Sequence, residues 1–556
     1  MERSNILKLF LLSVSALCIT FGTQAEPTVG ETIFLGPFAG LGAKVHPANQ
    51  SPKPVLFYGT DLGYSYVHDN KVHFLFGDSV GAPAALAPIE LQSSGWNHDD
   101  AFGWVDINEY PDASKFSPDN LPVLRMGQNE GTDEASAIDP GFTSDLLKTP
   151  EAGFSNGTRE FIIFFSGTNQ VCATDNDCAN HLQCDTGFGY SGVVPGDRLG
   201  ISWACRDGQE NCNSNTMDVD LEGNRTASGM CYDSTSSVYS SSLAGNISAI
   251  SWRQRIGIRS LEDPRKYKSI GDWDTTKYYN ATVSTVEKFV PEQEPDQQNY
   301  TAATLAKDAN AAAQQKVLVW GRPGFIGVGK NSRDLGLYFG YADMPVDESS
   351  TWTMNFFTGV DSNGIPQFSD NEREAIPVDL DSTQAGNQPQ EVHDITGQMS
   401  IAWVEQLNKW IMFYGGGISN SAQFGESDCG LLGNFARDEC QDVDIGNGAV
   451  RMRSADNPWG PWTPPQDVFV GGDYKIPGSG QFGVGGILYH PECKEEGCAP
   501  HSDLPVFDRT KEYGYMYAPT IVEPWIVSKD DGVDVIWNVS TWNPYRVVLM
   551  RTHIRK

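Results

Sequence analysis

The chain reads as an all-β protein, a five-bladed β-propeller carrying a disulfide-rich insertion. Three observations lead there: a strand-turn-strand unit recurs five times, its connections are long and variable, and helical periodicity is scarce. In the first unit, Gly59 to Ser79, a polar Asp69-Asn70-Lys71 turn joins two strand-like stretches. The second stretch, Val72 to Phe76, stops at Gly77-Asp78, so that Asp61 and Asp78 come near strand ends.

The same pattern, a polar turn leading into an aromatic and aliphatic run that ends in glycine or a small polar residue, returns four times. The runs are Arg159 to Gly167, Lys316 to Pro323, Lys409 to Gly416 and Val533 to Ser540. A further strand-like run follows each of the five, at Phe102–Ile107, Leu199–Ala204, Leu335–Ala342, Ala449–Arg453 and Arg546–Ile554. Radial repetition of such units predicts one blade per unit. The competing architecture is a β-sandwich followed by a second β domain. A polar, Gln- and Ala-rich stretch from Glu287 to Gln315 has no apolar face and is expected to hold no more than a short surface helix.

Residues 1–25 combine Arg3 and Lys8, an apolar run from Leu9 to Phe21 and a small-residue Thr23-Gln24-Ala25 end, which is the composition of a cleavable secretory signal. The run is shorter than the ~20 residues that cross a bilayer, and no later segment is longer, so no membrane anchor is expected. The mature domain, 26–556, is therefore expected to be secreted or periplasmic and monomeric. Its formal charge of −32 opposes a nucleic-acid partner, since phosphate binding needs a basic surface, and disfavours a polyanionic substrate.

Of eleven cysteines, Cys18 leaves with the signal. Six of the rest crowd between Cys172 and Cys231 in a stretch rich in Asp, Asn, Ser and Gly, and Cys429, Cys440, Cys493 and Cys498 form two close pairs. An even count in an exported chain reads as disulfides, with an insertion at about 171–235. The spacings lack the usual zinc-ligand step, and only His181 lies among the six. No cofactor is expected. Asp218-Val219-Asp220-Leu221-Glu222-Gly223 begins like a calcium loop, but its twelfth position is Gly229, so no complete calcium motif exists. Asn156, Asn224, Asn246, Asn280, Asn299 and Asn538 open glycosylation triplets that would count in a glycosylating host.

Several short motifs, taken together, carry a resemblance. Tyr58-Gly59-Thr60-Asp61-Leu62-Gly63, Phe76-Gly77-Asp78-Ser79, Ala152-Gly153-Phe154-Ser155-Asn156-Gly157, Trp320-Gly321-Arg322-Pro323, Asn457-Pro458-Trp459-Gly460-Pro461-Trp462 and Ser540-Thr541-Trp542-Asn543-Pro544-Tyr545 resemble those of the endo-D-arabinanases. These are glycoside hydrolases on a five-bladed propeller domain formerly of unknown function. The resemblance spans the mature chain apart from the insertion and the Gln/Ala-rich stretch. It implies hydrolysis of an arabinan-like polysaccharide, with Asp61 and Asp78 at the positions of that family's catalytic aspartates.

The residues support this chemistry separately. Glycosidic cleavage needs one carboxyl group kept protonated for the leaving oxygen and another kept ionised to act on water or on the sugar. Asp61 and Asp78 are the candidate pair. Asp99 and Asp100 form an acidic cluster beside them, Trp320 and Arg322 are a candidate ring-stacking and hydroxyl-binding couple, and Asn543 and Tyr545 are candidate sugar contacts. A polysaccharide lyase using His73, His98 and Arg322 is one alternative. A non-catalytic carbohydrate-binding propeller is another. No Gly-x-Ser-x-Gly elbow or phosphate-binding loop is present.

The disulfide reading predicts that thiol titration of the native, unreduced mature protein finds no reactive cysteine among the ten from Cys172 to Cys498. Several titrating thiols would refute it.

Overall fold

The computed structural model describes residues 26–40, 42–47, 59–80, 99–127, 149–168, 251–274, 278–289, 315–322, 337–378, 398–415, 449–470, 515–542 and 545–556, the short segments 171–172, 183–185, 229–232 and 299–302, and single residues 55, 57, 138 and 380. Five antiparallel sheets stand in a ring. The first blade is built from Gly59–His68, Lys71–Val80, Asp99–Asp106 and Leu124–Met126, with Val45–Pro47 parallel to its outer edge. The second comprises Thr149–Ser155, Glu160–Thr168, Ser251–Arg259 and Tyr267–Asp274. The third comprises Tyr279–Lys288, Lys316–Arg322, Tyr338–Asp343 and Met354–Val360, extended by Pro366–Ser369 outside and Asn299–Ala302 inside. The fourth holds Met399–Val404, Lys409–Gly415, Ala449–Ala455 and Gln466–Val470. The fifth holds Tyr515–Ile521, Gly532–Trp542, Arg546–Arg555 and, as its outer strand, the N-terminal Thr28–Gly40. The first-named strand of each blade touches its counterpart in both neighbouring blades, which closes the ring around an axis.

Five apolar clusters fill the five interfaces between blades, and the second strand of each blade feeds the clusters on both sides. In the second blade Phe161 and Ile163 face the third blade, whereas Ile162 and Phe164 face the first. In the fourth, Trp410, Met412 and Tyr414 face one way and Ile411 and Phe413 the other. A strand buried on both faces is apolar at most positions, which is why these five strands stand out in the sequence as apolar-rich runs. All five expected units thus fall in separate blades, each as the second strand.

Closure is made by the chain's two ends. Thr28–Gly40 pairs along Arg546–Arg555 from Thr28 opposite Arg555 to Gly40 opposite Arg546. Side chains then tie this strand to the fourth blade: Gln466 Oε1 accepts from Val29 N at 2.9 Å, and Thr32 Oγ1 donates to Val468 O at 2.7 Å.

The structure also corrects several expectations. The strand-like run 199–204 lies outside the described residues, and its expected place beside Glu160–Thr168 is taken by Ser251–Arg259. Within the Gln/Ala-rich stretch, Asn299–Ala302 is a strand paired with Tyr279–Lys288, and positions 290–298 and 303–314 lie outside the described residues. Of the cysteine-rich insertion the described part is a small sheet of Val171–Cys172, Gln183–Asp185 and Gly229–Tyr232, whose register sets Cys184 opposite Cys231. Trp320 is no exposed platform. It is 0% exposed, its Nε1 donates to Pro458 O at 2.8 Å, and its ring lies 5.3 Å from Trp410 in the core between the third and fourth blades.

Replacing Trp320 by alanine is therefore expected to cost about 3–5 kcal/mol of stability in urea unfolding, and Trp320→Phe, which keeps an aromatic ring in the core, should cost less. An alanine variant as stable as wild type would contradict the core placement.

Candidate active site

Each inner strand starts at the same face of the ring. The opposite face carries the tight hairpins, among them Asp69-Asn70, where both residues are left-handed at φ 48° and 56° as a two-residue turn requires. Near their starts, four of the five inner strands are irregular. An extra residue falls at Glu151 in the second blade, Gly63 in the first, and within 280–281 and 518–519 in the third and fifth. Three non-glycine residues there are left-handed: Leu62 at φ 65°, Asn280 at 54° and Ala518 at 51°. Such conformations cost roughly 1–3 kcal/mol each, and bulges re-aim side chains. Only the fourth blade's inner strand pairs without a shift.

The bulges gather a polar group around the axis. Asp61 is partly buried, and its Oδ2 accepts from Tyr517 Oη of the fifth blade at 2.9 Å. Its other oxygen lies over Gly77, where an added Cβ would stand 2.6 Å away; only glycine leaves that room. Beside it Thr60 Oγ1 donates to Gly77 O at 3.0 Å and lies 2.9 Å from Ser79 Oγ. Glu151, 3% exposed, has both oxygens occupied. Oε2 accepts from Gln254 Nε2 at 2.7 Å and from Ala281 N at 2.9 Å, and Oε1 accepts from Asn280 N at 3.0 Å. Glu151 thereby satisfies backbone N–H groups that the third blade's bulge takes out of its ladder. Burial pushes its carboxyl up to about 7, although the three N–H donors pull the other way. The buried phenol of Tyr64 is raised well above its ordinary range, first by burial and then by the charges of Glu151 and Asp61, so both carboxylates act on one point.

Backbone register brings other expected residues to this rim. Asp61 pairs with Gly77, so Asp78 follows directly on the adjacent strand, and Asp99 pairs with Ser79 on the next. Asp100 is partly buried, with its carbonyl accepting from Ile138 N at 2.8 Å. Arg322 ends its strand opposite Tyr279 at the same face. The side chains of Asp78, Asp99 and Arg322, and all of His98 and Asn543, lie outside the described residues. Tyr545 is buried, which removes it as a surface sugar contact.

Sequence reasoning missed Glu151, Tyr517, Gln254 and Asn280. Two of them carried a signal: Pro150 precedes Glu151 and Pro519 follows Tyr517 closely, and proline within a strand-like stretch marks a bulge. The glycosylation triplets at Asn156, Asn280 and Asn538 are corrected too, because all three asparagines are buried. Those at Asn224 and Asn246, and the side chain of Asn299, lie outside the described residues.

A second polar cluster joins the first two blades at the hairpin face. Arg259 Nη1 donates to both oxygens of Glu160 at 2.8 and 2.7 Å, and Tyr66 Oη donates to Glu160 Oε2 at 2.8 Å. His73 Nδ1 is 3.3 Å from the same carboxylate, and His68 Nδ1 is 2.8 Å from Ser155 Oγ. Burial holds His73 down at about 4. His73 thus belongs to an inter-blade contact away from Asp61, which removes it as a lyase base. Among the described residues no group of three or more His, Cys, Asp or Glu could hold a metal ion, and no helix is long and apolar enough to cross a membrane.

No family model and no curated protein matches the chain. Solved structures similar to it include a "putative hydrolase" from Bacteroides ovatus ATCC 8483, 9% identical over 90% of this chain and 86% of that one, with a TM-score of 0.37. A GH43_1 enzyme from Xanthomonas citri is 7% identical over 89% and 87%, with a TM-score of 0.29. Trypanosoma rangeli sialidase with the inhibitor DANA is 8% identical over 95% of this chain and 60% of its own length, with a TM-score of 0.29. The architecture stands on the strand pairing, to which likenesses at these scores add nothing.

The buried carboxyl of Glu151 makes a prediction about pH. Its folded value of about 7 lies above the ordinary 4.5, so between these values the folded state holds a proton that the unfolded chain has released. The resulting stabilisation is complete below the ordinary value and is lost as pH rises through the folded one. It amounts to roughly 3 kcal/mol. Urea unfolding of wild type should weaken by that order between about pH 4.5 and about pH 7, and Glu151→Gln should flatten this part of the profile. Parallel profiles for the two proteins would refute the assignment.

Proposed function

We propose that this protein is an exported glycoside hydrolase that cleaves a neutral polysaccharide, D-arabinan or a close relative. One observation carries the reading: bulged inner strands bring Asp61, its hydrogen-bonding partner Tyr517 and the buried Glu151 from three blades to one axial rim. Local distortion that converges on carboxylates is the arrangement expected of a site built for chemistry, because it costs stability and packs nothing better.

Asp61 is assigned the ionised role, since the hydroxyl of Tyr517 at 2.9 Å favours the charged form of its acceptor. It acts on the anomeric carbon or on the attacking water. Asp78, one residue beyond the partner of Asp61, is assigned the protonated role and delivers its proton to the leaving oxygen. Glu151 has both oxygens engaged by N–H donors, so it positions the second and third blades and does not deliver a proton. Asp99, Asp100, Arg322 and Asn543 remain as candidate contacts to sugar hydroxyls. The signal-like leader at 1–25 supports export to the periplasm or the medium.

Digestion of a glycan panel containing D-arabinan, read by new reducing ends and product sizes, tests the activity. Asp61→Asn and Asp78→Asn should each lower turnover by roughly 10²–10⁴-fold with folding nearly unchanged. Saturable binding without any new reducing ends would instead make the propeller a carbohydrate-binding module. Activity near normal in both variants would move the chemistry away from this pair.

A further inference from the structure

The triplet Asn538-Val539-Ser540 reads in the sequence as a glycosylation signal, yet the fold uses it differently. It lies in the second strand of the fifth blade, where alternate side chains share a face. Val539 packs into the core toward the fourth blade. Asn538 and Ser540, both 0% exposed, point at the first blade. There Asn538 Nδ2 donates to Gly63 O at 2.7 Å, and Ser540 Oγ donates to Leu62 O at 3.1 Å.

These two carbonyls belong to the bulge that follows Asp61. With Leu62 at φ 65° and Gly63 at φ 87°, both residues are left-handed, and the ladder to Lys71–Val80 shifts across them. A buried carbonyl that leaves its ladder needs another donor. The pair of side chains supplies one to each. The fit is close, since a Cβ added at Gly63 would stand 2.9 Å from Asn538 Oδ1. The fifth blade therefore grips Asp61 from two sides, through Tyr517 on its carboxylate and through Asn538 and Ser540 on the backbone behind it.

We propose that Asn538 and Ser540 are positioning residues for Asp61: by hydrogen-bonding the Gly63 and Leu62 carbonyls they hold the left-handed bulge that aims the Asp61 carboxylate at the axial rim. This rests on the glycoside-hydrolase reading for its kinetic consequence. Its geometric content stands apart from it.

The test compares Asn538→Ala, Ser540→Ala and Ser540→Thr with wild type on D-arabinan, or on whichever panel glycan is cut, at a temperature well below each protein's melting point. Misplacement of a reacting group by about 1 Å costs on the order of 10²-fold, so kcat of Asn538→Ala should fall roughly 10- to 100-fold with KM nearly unchanged. Ser540→Ala should lose several-fold in kcat, and Ser540→Thr, which keeps the hydroxyl donor, should recover most of it. A lowered melting temperature with kcat unchanged would make the pair purely structural and overturn the proposal. If Asn538→Ala does not fold, the Ser540 pair decides by the same criterion. If no panel glycan is cut, the hydrolase reading fails, and crystal structures of the variants decide the positioning. Separation of Tyr517 Oη from Asp61 Oδ2 beyond hydrogen-bond reach upholds it, and retention of the 2.9 Å contact overturns it.

Discussion

A blade in this ring is a sheet with no free face. Each second strand has to fill an apolar cluster on its left and another on its right, and five such clusters close on themselves only because the N-terminal strand completes the last blade. The hydrophobic effect is proportional to area removed from water, so burial on both faces makes these strands the most heavily invested part of the molecule. Each inner strand touches its counterparts in both neighbouring blades, and the apolar clusters behind them fill every interface of the ring. That combination lets four inner strands tolerate an extra residue where an isolated hairpin would slip to a regular register.

The tolerated irregularity is where the candidate site lies. Leu62, Asn280 and Ala518 hold a conformation that disfavours any residue with a Cβ, and each sits beside a polar group that faces the axis or a neighbouring blade. The cost is met from the adjacent blade rather than from the strand itself. Glu151 of the second blade accepts from the N–H groups of Asn280 and Ala281 in the third, and Asn538 and Ser540 of the fifth donate to the carbonyls of Leu62 and Gly63 in the first. One blade's distortion is thus satisfied by its neighbour's side chains, and the site depends on the ring being closed.

The second strands were legible because burial on two faces leaves few polar positions to interrupt the pattern, and Val72–Phe76, Phe161–Phe165 and Trp410–Tyr414 announce themselves. Apart from Gly59–His68, the first stretch of the opening unit, the inner strands were not. Thr149-Pro150-Glu151-Ala152-Gly153 and Tyr517-Ala518-Pro519 look like turns, since proline and glycine mark both a turn and a bulged strand, and only the partner strand tells them apart. Trp320 went to the wrong side because an aromatic residue at a strand end is chemically the same whether it meets a sugar or Trp410. The Asn538 triplet was misread because a three-residue motif was matched without the alternation that puts its two polar members on one buried face. Asp61 was singled out as a candidate from its place near a strand end, a feature that survives the bulge after it.

The hairpin face and the axial rim hold their buried carboxylates in unlike ways. At the hairpin face, Glu160 is fixed by Arg259 and Tyr66 with His73 alongside, so a buried carboxylate is matched by a guanidinium and its charge is spent within the protein. At the axial rim, Glu151 meets N–H dipoles and, among the described residues, no guanidinium, and burial raises its carboxyl to about 7. Asp61 has a hydroxyl for its partner at the mouth of the same rim. Full ion pairing at the hairpin face anchors the first two blades, whereas Glu151 at the rim rests on N–H donors and keeps its carboxyl raised to about 7. The first arrangement fixes the hairpin end, and the bulged rim is held instead by bonds from blade to blade such as those of Glu151 to Asn280 N and Ala281 N.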